Sequence, residues 1–104
     1  MDIKELKDIS DRSYRIAVEK KNALEKAKTS MILAYSGHLF QADAQTINLV
    51  HVLKNKHKKF VILDSNQNPM MVNDPDDLLE KLINKQQEAL NVYNQAYTNS
   101  VSKG

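Results

Sequence analysis

The stretch Asn73-Asp74-Pro75-Asp76-Asp77-Leu78-Leu79-Glu80-Lys81-Leu82 constrains the fold of this chain most. Asp74 suits an N-cap, because its carboxylate can accept from the free N–H groups of a first helical turn. Pro75 suits the first helical position, where a missing N–H costs nothing. Asp76 and Asp77 then complement the positive end of the helix dipole. A helix therefore starts at Pro75. Leu79, Leu82, Ala89, Tyr93 and Ala96 continue it as a heptad seam to about residue 98, with Gln86 as a polar break. Leu78, Ile83, Leu90 and Tyr97 flank the seam, and the closing "NSVSKG" reads as a frayed tail.

A second long helix is expected over residues 2–28, which contain no proline or glycine. Apolar or small residues recur there at Ile3, Leu6, Ser10, Ser13, Ala17, Leu24 and Ala27, in steps of three, four or seven. Lys20 interrupts this seam, while Ile9 and Ile16 widen the apolar face. The stripes through Ile3, Leu6 and Leu24, and through Leu79, Leu82 and Tyr93, are interaction surfaces. They suit packing on each other or on further copies of the chain.

The middle is compact. "MILAY" (31–35) and "HLFQA" (38–42) read as two short strands joined by Ser36-Gly37, with Gly37 accepting the positive φ of a tight turn. The competing expectation runs the first helix to Tyr35 and caps it at Gly37. Asp43 is a good N-cap for "AQTINLVHVLKNK" (44–56), whose Ile47, Val50 and Leu53 share one face. "KFVILD" (59–64) is a buried strand, "SNQN" is turn chemistry, and Pro69 makes "PMMV" an edge strand. The expected fold class is α+β in the order α-β-β-α-β-β-α. It forms one domain over 1–104: an outer helix (1–30), a hairpin-helix-hairpin middle (31–73), and an outer helix with its tail (74–104).

Composition bounds the function. Hydrophobic residues make up 41% of the chain, but there is no Trp and only two Phe, so the core is aliphatic and thin for two long helices. Oligomerisation or docking in a larger assembly is expected. The absence of Cys excludes disulfides, thiolate metal sites and a Cys nucleophile. No apolar run is long enough for a membrane helix, and "MDIKELKDIS" lacks the apolar core of a signal peptide. A cytoplasmic protein, or one built into a particle assembled there, is the expectation.

Net charge is only +2, so no strong single-sign field marks a dedicated nucleic-acid binder. The best basic patch is Lys54, Lys56, Lys58 and Lys59, which could neutralise phosphates. It has no interleaved aromatic, and a solvated helix-to-strand connection is the plainer assignment. His51 and His57 are six apart, not at the i, i+4 spacing of a helical metal pair, and no carboxylate stands at a fixed ligand spacing from His38. Ser36 beside His38 lacks a nucleophile elbow. Asp76 and Asp77 are explained by capping. No phosphate loop is available, and no catalytic residue, metal or cofactor is expected.

Gly37, Phe40, Asp43 and Thr46 set out a further pattern: Gly, Phe three residues on, an Ala-Asp helix start, then Ser or Thr. This resembles a family of short phage-encoded domains of unknown function found among tail and tail-fibre genes. Phe60, Asp64 and the "NDPDDLLEKL" helix occupy the family's later positions, so the resemblance covers roughly residues 30–97. The chain departs from it in lacking the family's Trp in the second hairpin. The resemblance implies a bacteriophage virion structural protein of the tail, baseplate or tail-fibre attachment region. Such a protein would work through contacts with other virion proteins and carry no catalytic residue. The architecture is also similar to prefoldin-type subunits, which implies a small cytoplasmic assembly chaperone or adaptor. A nucleic-acid-associated protein using Lys54–Lys59 is the third alternative.

Overall fold

The computed structural model describes residues 3–103, with side chains described for residues 11–99. Its elements are α1 (Ile3–Ser30), β1 (Ile32–Tyr35), β2 (His38–Gln41), α2 (Ala44–Lys56), β3 (Phe60–Leu63), β4 (Pro69–Val72) and α3 (Pro75–Lys103). The expected order α-β-β-α-β-β-α, and with it the α+β class, is what the chain adopts.

Both outer helices end later than their sequence pattern suggests. Past residue 28, the Thr29 and Ser30 hydroxyls donate back to the carbonyls of Glu25 (3.0 Å) and Lys26 (2.8 Å). These bonds carry α1 to Ser30. The frayed tail expected after residue 98 is also corrected, because α3 continues to Lys103. Nothing between Pro75 and Gly104 is a proline or glycine, so no breaker stops the helix earlier.

The first hairpin settles the alternative for residues 31–42. β1 and β2 pair antiparallel from Ile32↔Gln41 to Tyr35↔His38. Ser36 (φ 52°) and Gly37 (φ 80°) both lie in the left-handed region, as a two-residue turn matched to strand twist requires. Asp43 caps α2 as expected, with its Oδ1 accepting from the Thr46 N–H at 2.8 Å. Asp74 does the same for α3 through the Asp77 N–H at 3.2 Å. In the second hairpin β3 and β4 pair from Phe60↔Val72 to Leu63↔Pro69, with Pro69 at the start of its strand.

Strand alternation sends one face of each hairpin inward. Phe40, Phe60, Ile62, Met70 and Val72 meet Val50 of α2 and Leu78, Leu79 and Leu82 of α3 in one core. From that body α1 and α3 run as an antiparallel pair. Ala27 and Ala89 are buried, and farther out the Lys20 ammonium sits 5.6 Å from the Tyr97 ring centroid. The lysine that interrupts the α1 seam therefore caps an aromatic of its partner helix. The chain measures 66 × 22 × 20 Å with a radius of gyration of 19.3 Å. A compact domain of this length would have one of roughly 13 Å. The fold is a small body carrying a two-helix arm.

Candidate functional site

His38, dismissed as a metal ligand on sequence spacing, gains a structural role in the fold. His38 opens β2 on the inward face of the first hairpin. On the second hairpin, Asp64 follows Phe60 and Ile62 on the inward parity, so its carboxylate is buried at the strand end. His38 Nδ1–H donates to Asp64 Oδ2 at 2.7 Å. The other carboxylate oxygen accepts from the N–H groups of Asn66 (2.8 Å) and Asn68 (2.9 Å), and so shapes the turn. The Ser65 N–H also donates to the Leu39 carbonyl at 2.8 Å, so the two hairpins are joined at backbone and side chain. The His38 hydrogen bond, followed by the Asn68 N–H, holds the Asp64 carboxyl below the usual carboxylate range. Sequence spacing offers His38 no carboxylate, and the fold supplies one. Its partner stands 26 positions away, and the one available signal was a carboxylate on the inward side of a buried strand.

Tyr35, paired with His38 across the strands, reaches a second carboxylate. Its hydroxyl donates to Asp77 Oδ2 at 2.9 Å, and Lys81 Nζ donates to the same oxygen at 3.1 Å. Lys81 also lies 5.3 Å from the Tyr35 ring centroid. Burial raises the Tyr35 pKa, helped by the Asp77 charge. The Lys81 and Tyr35 hydrogen bonds lower that of Asp77. Asp77 therefore does more than complement a helix dipole: it anchors the tip of the first hairpin to α3. Both networks are fastenings between elements.

The basic patch is partly consumed within the fold. Lys54 Nζ donates to Asp76 Oδ1 at 2.5 Å, tying the end of α2 to the start of α3. Lys56, Lys58 and Lys59 are exposed. The shallow cavity of about 240 Å³ beside them is lined by Lys54, His57, Lys58, Pro75 and Asp76, so a carboxylate borders any anion placed there. His51 and His57 stand on the solvent side of α2 and at its C-cap. Among the described residues, no group of three or more His, Asp or Glu side chains converges to hold a metal. No helix there is long and apolar enough to cross a membrane.

The motif residues Gly37, Phe40, Asp43 and Thr46 are brought together as a corner: turn, buried strand residue, helix cap and the N–H it caps. Of the interaction stripes, Leu79 and Leu82 are spent in the body's own core. Leu24 and Tyr93 are half-buried along the arm, and the side chains of Ile3 and Leu6 lie outside the described residues.

The apolar surface left uncovered lies elsewhere, on the outward faces of the hairpins. Val61 (54% exposed), Leu63 (57%) and Met71 (52%) share the outward side of the second hairpin with Pro69. Ile32, Ala34 and Leu39 share that of the first. The run "FVIL" reads as uniformly buried, and only the packing shows that alternate residues are wet. Comparison with protein-family models, curated proteins and solved structures finds no match for this chain.

Proposed function

We propose that this chain is a structural docking protein of a phage particle, seated in the tail, baseplate or fibre-attachment region, which acts through protein–protein contacts and carries out no reaction. The observation that carries the docking part is the outward apolar surface of the two hairpins, Val61, Leu63, Met71, Ile32 and Leu39. Exposed apolar groups gathered on one element mark contact surfaces. The elongated arm supports the same reading, because it presents much surface for its volume. The phage context rests on the resemblance carried by Gly37, Phe40, Asp43 and Thr46.

Quantitative mass spectrometry of purified particles encoding this chain tests the proposal. A fixed stoichiometry to the major structural proteins, retained through a high-salt wash, is expected. Presence in infected-cell lysate with absence from particles would overturn the structural role in favour of an assembly adaptor.

A further inference from the structure

The arm carries a second surface, of different chemistry. Residues 89–102 contain no charged side chain, although 27% of the chain is charged. The contrast with α1 is direct. Its exposed positions between 11 and 26 include Asp11, Arg12, Arg15, Glu19, Lys20, Lys21, Glu25 and Lys26. The outward face of α3 carries Asn91, Asn94, Gln95 and Asn99 instead, around the half-exposed Val92. These line a groove of about 460 Å³ on the side of α3 away from α1. Among the described residues, no hydrogen bond of the fold engages those four amides.

Helix stability does not account for this composition, since Asn is a poorer helix former than the Lys, Glu or Gln usual on a wet face. Solubility does not account for it either, since charge serves that better. An uncharged amide face is able to be complementary to itself. Each amide both donates and accepts, so two identical faces can meet across a two-fold axis without opposing like charges.

We infer that the outward face of α3 is a homodimer seam, occupied by the same face of a second copy. A two-fold axis crossing the helix near Asn91–Gln95 pairs the two α3 helices antiparallel. The two arms then form a four-helix bundle with one body at each end. Val92 of each copy supplies the apolar contact at the centre, and the amides fix the register, as buried polar residues do in helical seams. The inference deepens the docking reading and rests on it: dimeric arms would leave both hairpin bodies free to engage other proteins.

Sedimentation velocity on the intact chain, from micromolar to several hundred micromolar, tests the seam. A monomer–dimer equilibrium is expected, with a dimer longer than the 66 Å of one copy by small-angle scattering. The double variant Asn91→Lys/Asn94→Lys should weaken dimerisation by about 100-fold or more, because it sets like charges against each other. Its far-ultraviolet dichroism should be unchanged. Mixing it with Asn91→Glu/Asn94→Glu should restore dimers, a rescue that misfolded chains would not give. A monomer at all concentrations, dimers indifferent to these charges, or a mixture that stays monomeric would each overturn the seam. So would loss of dimers on Val61→Lys/Met71→Lys with the α3 variants unaffected, which would put self-association on the hairpins. A monomeric chain present at fixed stoichiometry in particles would sink the seam alone. A dimer absent from particles would sink the virion role alone.

Discussion

Gly37 offers a perturbation whose cost comes from the backbone alone. Its φ is +80°, and a Cβ built there meets nothing within 4 Å. Side-chain crowding therefore drops out, and only the left-handed conformation remains. That conformation costs an L-residue about 1–2 kcal/mol. Removing glycine also restricts the unfolded chain, which returns about 0.4–1 kcal/mol. Gly37→Ala should thus lose about 0.5–1 kcal/mol. Gly37→Val should lose more, about 1–3 kcal/mol, because a β-branched residue tolerates positive φ least. Gly37→Asn should lie close to the parent chain, since Asn visits this region readily. Ser36 has a φ of 52° and provides the opposite sign. Ser36→Gly relieves the same conformation and should be neutral or stabilise by up to about 1 kcal/mol. Urea unfolding followed by circular dichroism reads the series, and a loss of ~2 kcal/mol moves the midpoint by about 1 M. An unchanged midpoint for Gly37→Val, or the same midpoint for Asn and Val, would refute the tight-turn argument.

Further expectations follow from the caps, the core and the carboxylates. Asp43→Ala removes the acceptor for the Thr46 N–H and should cost about 1 kcal/mol by thermal denaturation, with Asp43→Ser retaining most of it. Phe40→Ala opens a cavity at a fully buried site and should cost about 3–5 kcal/mol, enough to threaten folding of so small a core. In the fold Asp64 and Asp77 titrate below their ordinary range. Their stabilisation is therefore full above the unfolded carboxylate value of about 3.9 and is lost as pH falls through their lower folded values. A melting temperature that drops on acidification from pH 6 to pH 2.5 is expected, with a shallower drop in His38→Gln. A flat or rising profile would count against both carboxylate fastenings.

The legible features were those written in neighbouring residues. The α3 start follows from Asp74-Pro75-Asp76-Asp77, the first turn from Ser36-Gly37, and the α2 cap from Asp43. In each case a side chain bonds a backbone group a few residues away, or a single residue accepts a rare φ. The α3 seam was legible too, since Leu79, Leu82 and Ala89 are buried as their spacing requires, whereas Ser13 and Ala17 of the expected α1 seam stand exposed. The ends of the helices were less so, because an end without a proline or glycine depends on which carbonyls find a donor, as at Thr29 and Ser30.

The α+β class, the element order apart from the alternative at residues 31–42, and the corner around Gly37, Phe40 and Asp43 were written in local sequence. These depend on local conformational preference and on apolar period, which the chain carries wherever it lies. The tertiary fold was needed for His38 to meet Asp64, for Tyr35 to reach Asp77, and for Lys54 to be taken up by Asp76. It also decided that Leu79 and Leu82 are spent in the chain's own core while Val61, Leu63 and Met71 stay wet. Such pairings join residues up to 42 positions apart, and their partners are set by how hairpins and helices stack. Which face of an amphipathic element remains free depends on what the rest of the chain has already covered.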